Sequence, residues 1–332
     1  MNLDMNKEKA LTEKLKSGLR QHEVMRDHTT IKVGGVADFY FEAKTTDDLI
    51  KAVNAATQAK VPYFILGGGS NVIFSDYGFP GLVIKNAATN IAFMMEKSQA
   101  IVDSGASTQK VILEMISRNL SGLEFLFGVP GTIGGAVYGN AGAYGQSVSD
   151  YVKSATLLIP GADGESGEIV QNESDWFEFK YRSSKLKRMQ GFKKPVILSV
   201  KLQLSQSRQE ETMRRLNISK NKRIESQPIG QSAGCIFKNS VPPELQDVSG
   251  RGSRNMPELP KERTAGYLLD KSGVKKMRVG GARVSPKHAN FILNVQGARA
   301  QDIRKLAEEM RSAVKEKFNI TLEEEIEYVG QW

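Results

Sequence analysis

Gly128-Val-Pro-Gly-Thr-Ile-Gly-Gly-Ala-Val-Tyr-Gly-Asn-Ala-Gly-Ala-Tyr-Gly145 places seven glycines in eighteen residues, with alanines and one asparagine in most of the gaps. Glycine loses more conformational freedom on folding than any other residue, so such clustering has to serve a purpose. Two purposes fit: backbone torsions closed to other residues, and close approach of main-chain N–H groups to a ligand. A second cluster, Gly67-Gly68-Gly69-Ser70-Asn71, comes directly after Val61-Pro-Tyr-Phe-Ile-Leu66, an apolar stretch that reads as a buried strand. Two glycine loops in the first half of one chain point to a large phosphorylated ligand held by main-chain donors. The plainer reading of either loop alone is a tight turn.

The segment after residues 67–71 decides between folds. A dinucleotide fingerprint needs strand, G-x-G-x-x-G, then helix. Here the loop runs into Val72-Ile-Phe74 and then Gly81-Leu-Val-Ile84, both of which read as strands. Strand–loop–strand disfavours a Rossmann fold, and no Gly-Lys-Ser or Gly-Lys-Thr exists to make a P-loop.

Composition sets the outer limits. The 332 residues suggest two or three domains, and 40% hydrophobic content is enough for proper cores. The single cysteine, Cys235, excludes an intramolecular disulfide and fits a reducing compartment. With only His22, His28 and His288 beside the one cysteine, no cysteine/histidine metal site is expected. No apolar run approaches transmembrane length. Residues 1–20 alternate acidic and basic side chains without an apolar core, unlike a signal peptide or an acid-poor transit peptide. A cytoplasmic protein is expected, with a plastid or other organelle left open if a targeting peptide has been removed. The formal charge of +9 concentrates between Lys180 and Arg223, as in Lys185-Leu-Lys-Arg188 and Lys220-Asn-Lys-Arg223. Aromatics are not interleaved with it, so a solvated face is favoured over a nucleic-acid surface.

The pattern along the chain is mixed α/β. Residues 46–56 read as a helix capped by Thr46, with Leu49, Val53 and Ala56 as its buried stripe. Residues 155–159 and 196–204 read as strands, the latter alternating Val196, Leu198, Val200, Leu202 and Leu204. Ile303, Leu306, Met310 and Val314 mark an amphipathic helix, with Phe318 just past it. Residues 242–263 carry prolines, serines, glycines and charges with almost no apolar period, which reads as an insertion.

Three further segments can carry chemistry. Tyr181-Arg-Ser-Ser184 offers a guanidinium, a planar fork suited to carboxylate or phosphate, although a lone arginine is more often a surface residue. Ser232-Ala-Gly-Cys-Ile-Phe-Lys-Asn239 sets the only thiol beside Gly234, where the bland reading is a small buried hydrophobe. Leu322-Glu-Glu-Glu-Ile-Glu327 reads by itself as a charged strand edge.

Taken in order, these segments resemble the UDP-N-acetylenolpyruvoylglucosamine reductases, the MurB flavoenzymes of bacteria, over nearly the whole chain. The matching pieces begin with His28-Thr-Thr-Ile-Lys-Val-Gly-Gly35, Leu66-Gly-Gly-Gly-Ser-Asn71, Gly128-Val-Pro-Gly-Thr-Ile-Gly-Gly135 with Asn140-Ala-Gly-Ala-Tyr-Gly145, and Tyr181-Arg-Ser-Ser184. Ala233-Gly-Cys-Ile-Phe-Lys-Asn239, Gly280-Gly-Ala-Arg-Val-Ser285, His288-Ala-Asn-Phe-Ile-Leu-Asn294 and Leu322-Glu-Glu-Glu-Ile326 complete them.

The resemblance implies an α/β (α+β) FAD fold of the vanillyl-alcohol-oxidase/PCMH type. Its two FAD subdomains would span 24–88 and 89–205, with a C-terminal substrate domain at 210–327. It implies noncovalent FAD, held by Gly67, Gly68, Gly69, Ser70, Asn71, Gly128, Gly131, Thr132, Gly134, Gly135, Asn140, Gly142 and Ala143. The implied reaction is NADPH-dependent reduction of the enolpyruvyl ether of UDP-N-acetylglucosamine to UDP-N-acetylmuramate, a peptidoglycan precursor. The implied partners are that UDP-sugar and NADPH, with no nucleic acid and no membrane, in a monomer or weak oligomer.

Hydride delivery to the enolpyruvyl group pushes negative charge onto the substrate carboxylate as an enolate. By the resemblance Arg182 stabilises that charge and Glu325 completes the polar pocket, with Glu323 as the nearby alternative. A positioned acid must then protonate the adjacent carbon, and Cys235 falls at that position. Tyr181, Lys238, Asn239 and His288 would contact the substrate. Many relatives carry serine where Cys235 stands. A thiol titrating at about 8.5 is mostly protonated at neutral pH and can serve as the acid, with added sensitivity to oxidation. The stretch after Tyr181-Arg182 matches the shorter family type, which lacks a tyrosine-bearing loop. The alternatives are a non-catalytic flavin- or nucleotide-sugar-binding relative and another PCMH-type flavin oxidase.

Overall fold

The structure, a computed structural model, describes residues 5–161, 165–191, 194–242, 245–246 and 259–332. Of the expected insertion at 242–263, residues 243–244 and 247–258 lie outside the described residues.

The first layer is a four-stranded sheet in the order Leu19–Val24, Val36–Ala43, Phe79–Asn86, Tyr63–Leu66. Its first pair is antiparallel and the other two are parallel. A parallel pair needs a crossover, and the helix Thr46–Gln58 supplies it. The expected stripe is in place: Leu49, Val53 and Ala56 are fully buried. The cap differs from expectation. Thr45, not Thr46, caps the helix in a reciprocal box with Asp48, its side chain accepting the Asp48 N–H at 3.1 Å. Thr45→Ala is therefore expected to lower stability by about 1 kcal/mol in urea unfolding. Thr46→Ala leaves the box intact, and an equal loss there would overturn the assignment. The strand expected at 61–66 forms as Tyr63–Leu66 at the sheet edge, where only Leu66 is buried.

The second layer is a five-stranded antiparallel sheet, in the order Glu168–Glu173, Val152–Ile159, Val196–Gln203, Gln99–Asp103, Ile91–Met94. Its core takes in residues from the helices Thr108–Ile116, Ile133–Gly139 and Gln209–Ser226. The plain alternation read at 196–204 conceals a bulge. Thr156 pairs with Ser199 and Leu157 with Ile197, so Leu198 is the extra residue. An extra residue reverses which parity faces which side. Val196 and Leu198 thereby join Leu49 and Leu82 in the first core, while Ile197, Val200 and Leu202 join the second.

The C-terminal part is a three-stranded antiparallel sheet, Arg278–Val279, Ala282–Val284 and Ile292–Asn294, packed with the helices Ala265–Lys271 and Ala300–Phe318. Ile303, Leu306, Met310 and Val314 are fully buried as expected, and Phe318 is the helix's last residue rather than one beyond it. Ile31, Val33 and Ile73 enter this same core. The feature that positions the site is the return of the chain end. Glu327–Val329 pairs in parallel with Val72–Phe74, laying residues 322–326 against the loop at 67–71.

Candidate active site

The two glycine loops touch. A Cβ on Gly68 would lie 2.9 Å from the Gly131 Cα, and one on Gly67 would lie 2.7 Å from Thr132 Oγ1. Ser70 Oγ donates to the Pro130 carbonyl at 2.9 Å, tying the loops together. Gly69 (φ +66°) and Gly131 (φ +146°) adopt torsions that side chains resist, and a Cβ on Gly69 would strike the His28 carbonyl. Thr132 caps the helix Ile133–Gly139 by accepting the Gly135 N–H at 3.2 Å. Gly134 donates to the Ser104 carbonyl at 2.8 Å. Gly128 packs on Arg223, and Lys85 donates to the Gly67 carbonyl.

A dinucleotide cofactor needs donors for its pyrophosphate. Among the described residues, no hydrogen bond engages the backbone N–H groups of Gly68, Gly69 and Ser70. Unspent amides in a glycine loop form an anion-binding concavity, so the residues fit FAD. Other residues of the expected cofactor set are occupied within the fold. Asn140 (φ +46°) is buried, donating to the Lys180 carbonyl at 3.0 Å and accepting the Ser149 N–H at 3.3 Å. Gly142 and Ala143 pair with Gln146–Ser147 in a short hairpin, and Asn71 Nδ2 donates to the Glu325 carbonyl at 3.2 Å.

That hairpin supports the arginine. Lys180 and Ser183 exchange both backbone hydrogen bonds, leaving Tyr181 and Arg182 at the corner of a tight turn. Arg182 has φ +53°, a torsion uncommon outside glycine. Its Nε lies 2.8 Å from Glu325 Oε1, and its Nη2 donates to the Gly142 carbonyl at 2.6 Å. The guanidinium carbon sits 5.1 Å from the centre of the Tyr181 ring. Burial alone would lower the pKa of Arg182, but Glu325, Tyr181 and Cys235 outweigh it and raise it. The cation is therefore secure. Burial raises the Tyr181 phenol, against the pull of the Arg182 charge.

Cys235 lies opposite Phe291 in an antiparallel bridge, held by Ile236 N–H donating to the Asn290 carbonyl at 2.9 Å. The Asn290 side chain clamps Phe237, accepting from its N–H and donating to its carbonyl. Burial, reinforced by the Glu325 charge, pushes the Cys235 thiol up to about 12, against the pull of Arg182 and Arg223. A thiol so raised holds its proton at neutral pH, as a proton donor must, and its small thiolate fraction slows oxidation.

The two candidate glutamates separate clearly. Glu325 faces Arg182, while Glu323 is 73% exposed and pairs with Lys238 Nζ at 3.1 Å. Asn239 Oδ1 accepts the Ala265 N–H at 3.0 Å, fixing the start of the helix Ala265–Lys271. His288 stands apart from the Arg182–Glu325 pair. It packs over Gly266 in a depression lined by Lys261, Lys271, Lys275, Lys287 and Asp270, the last paired with Lys275 Nζ at 2.9 Å. Burial first, and then Lys275, lowers its pKa.

Two cations read from sequence as part of a solvated face are instead turned inward. Lys187, from the short helix Lys185–Arg188, donates to the Glu325 carbonyl at 3.3 Å; burial, and then Lys238, lowers its pKa. Arg223 donates to Phe127 O at 2.9 Å and Phe125 O at 2.8 Å, and burial lowers its pKa. The signal for Lys187 was its position shortly past Tyr181-Arg182. Nothing in its own stretch of sequence distinguished Arg223.

A glycine cradle with unspent amides, beside an Arg–Glu pair and a protonated thiol, belongs with flavin-dependent reduction. The family model described as "FAD binding domain" matches residues 37–168, and the chain is an FAD-dependent oxidoreductase of the α/β class. The model described as "UDP-N-acetylenolpyruvoylglucosamine reductase, C-terminal domain" matches residues 225–329. The chain is 33% identical over 314 residues to the UDP-N-acetylenolpyruvoylglucosamine reductase of Anoxybacillus flavithermus, covering 94% of this chain and 95% of that one. It is 33% identical over 311 residues to the reductase of that name from Bacillus subtilis, covering 93% of each. The solved structure of UDP-N-acetylenolpyruvylglucosamine reductase (MurB) from Thermus caldophilus matches with a TM-score of 0.72 at 30% identity, covering 94% of this chain and 99% of that one. The chain belongs to the UDP-N-acetylenolpyruvoylglucosamine reductase family.

Proposed function

We infer that this chain is the NADPH-dependent reductase that converts UDP-N-acetyl-3-O-(1-carboxyvinyl)-glucosamine to UDP-N-acetylmuramate for peptidoglycan precursors. The observation that carries the reading is the Arg182–Glu325 pair at 2.8 Å, with both charges acting on the Cys235 thiol. FAD, when bound, supplies the hydride, taken from NADPH. Gly67, Gly68, Gly69, Ser70, Gly128, Gly131, Thr132 and Gly135 would form its cradle. Asn71, Gly134, Asn140, Gly142 and Ala143 shape that cradle from within the fold.

The chain's own part is charge and proton management. As the terminal enolpyruvyl carbon becomes C–H bonded, the electron pair of the double bond shifts towards the carboxylate. Arg182 offers a preorganised cation to that charge. Glu325 fixes the guanidinium's orientation. Cys235 Sγ–H then gives its proton to the adjacent carbon, and the thiolate recovers a proton from solvent after turnover. Tyr181, Lys238 and Asn239 line the substrate side. The basic depression at His288 takes the UDP portion, its lysines matching the diphosphate charge.

The proposed organisation is two FAD subdomains, 24–88 and 89–205, and a substrate domain, 210–327. No helix among the described residues is long and apolar enough to cross a membrane. We place the protein in the cytoplasm as a monomer or weak oligomer. The non-catalytic reading is not favoured, because the Arg182–Glu325 pair is intact.

The test is NADPH oxidation by the purified yellow protein, which must depend on the enolpyruvyl UDP-sugar. Turnover without that sugar, or none with it, would overturn the reading. Heat or acid is expected to release one FAD per chain into the supernatant, and flavin that stays with the precipitate would contradict noncovalent binding. Gly68→Ala, which forces a Cβ to 2.9 Å from the Gly131 backbone, is expected to lower bound FAD while the chain stays folded by circular dichroism.

A further inference from the structure

The backbone of Glu325 is a junction of four segments. Its N–H donates to the Ile236 carbonyl at 2.8 Å, one residue past the thiol. Its carbonyl accepts from Asn71 Nδ2 of the first glycine loop at 3.2 Å. The same carbonyl accepts from Lys187 Nζ at 3.3 Å. The carboxylate beyond this backbone meets Arg182. Of the groups that hold the junction's main chain, Lys187 alone carries charge, and this is the only hydrogen bond of its ammonium among the described residues.

Lys187 also sits inside a ring of charges. Glu325 and Glu327 from the C-terminal segment attract its ammonium, while Lys238 and Arg182 repel it. Next to Glu327, Tyr138 and Lys194 complete the ring: Tyr138 OH donates to Glu327 Oε1 at 3.4 Å and accepts from Lys194 Nζ at 3.0 Å. A half-buried ammonium with one acceptor and two like charges nearby is costly to keep in place. A uniformly structural role would be met as well by an apolar side chain of the same length.

We propose that Lys187 is a positioning residue for substrate reduction, acting through Glu325 by holding its main chain so that the carboxylate stays locked on Arg182. This rests on the reductase reading above. Among the described residues the Lys187 ammonium hydrogen-bonds to the Glu325 carbonyl and to no residue of the glycine loops. Its effect is on the orientation of the guanidinium at the moment charge develops. A small misplacement of such a group is enough to cost about 10²-fold in rate.

The experiment compares Lys187→Met with Lys187→Arg in the FAD-loaded protein, resolving the two half-reactions by stopped flow. Lys187→Met is expected to slow flavin reoxidation by the enolpyruvyl UDP-sugar about 10–100-fold, with KM for that sugar, FAD content and flavin reduction by NADPH within about twofold. Lys187→Arg, which can still reach the carbonyl, is expected to recover most of the rate. A second readout needs no turnover. The Arg182 Nε–H resonance, identified by its loss in Arg182→Lys, should be slow to exchange in the parent and fast in Lys187→Met. A rise in KM alone would mean that Lys187 binds substrate directly, which overturns the proposal. Unchanged kinetics with an unchanged resonance, or equal loss in both half-reactions, overturns it too. A parent protein that never reduces the sugar would instead fail the reductase reading, which separates the two outcomes.

Discussion

Cys235→Ala is expected to slow reduction of the enolpyruvyl substrate on the order of 10²–10⁴-fold, the usual worth of a positioned acid. FAD content and flavin reduction by NADPH should not change, because the proton Cys235 donates is used only in the substrate half-reaction. Cys235→Ser is expected to keep substantial activity, since a hydroxyl delivers a proton from the same place. The thiol's raised pKa, about 12, carries a sign that can be checked. Below that value the group is protonated and competent as an acid, so it contributes no alkaline loss of activity through the ordinary thiol range. The thiolate fraction at neutral pH is correspondingly small. Alkylation by iodoacetamide should be slow there, should accelerate as pH rises towards 12, and should be blocked by bound substrate. An inert buried cysteine would give near-normal turnover in the alanine variant and no substrate protection. Normal substrate reduction by Cys235→Ala would remove the thiol from the mechanism and pass the proton to a bound water or another residue.

The parts of the fold legible in the sequence were those written in local pattern. The glycine loops announced a main-chain cradle, and Ile303, Leu306, Met310 and Val314 announced a helix, because each depends on residues close in the chain. The misplaced cap arose where two adjacent threonines are both competent. Asp48 decides between them by standing at the third helical position from Thr45. The bulge at Leu198 was invisible because apolar residues of both parities fill that strand, and only the register against 156–157 reveals the switch.

The site was less legible from residues alone, since Arg182, Cys235 and Glu325 are far apart in sequence. Their convergence depends on the parallel pairing of Glu327–Val329 with Val72–Phe74, a long-range contact with no local signature. Resemblance supplied those three. It matched Glu325 and left Glu323 as the nearby alternative, which geometry now separates. In a regular strand two such residues share a face. Residues 322–326 are not a regular strand, so Glu323 turns to Lys238 at the surface and Glu325 turns inward. Charge counting in turn misread Lys187 and Arg223, because a run of cations does not say which members reach inward to carbonyls.

Arg182→Ala carries the other large expectation: a loss of about 3–4 kcal/mol of transition-state stabilisation, seen as roughly 10²–10³-fold slower substrate reduction. Flavin reduction by NADPH should stay largely intact, because no carboxylate charge develops in that half-reaction. Alanine is a fair probe at this position, since φ +53° burdens alanine no more than it burdens arginine. The variant does more than delete a cation. It also leaves Glu325 without its partner and the Gly142 carbonyl without its donor. Two further variants separate these effects. Arg182→Lys keeps the charge but loses the planar fork, and should recover only part of the rate. Arg182→Ala combined with Glu325→Gln removes the unpaired carboxylate; if repulsion from Glu325 were the main damage, the double variant would be faster than the single one. If lost stabilisation of the substrate carboxylate is the cause, the double variant stays as slow as Arg182→Ala. Equal slowing of both half-reactions by the single variant would assign Arg182 to the fold or to NADPH, and the charge-stabilising role would have to move elsewhere in the cationic ring.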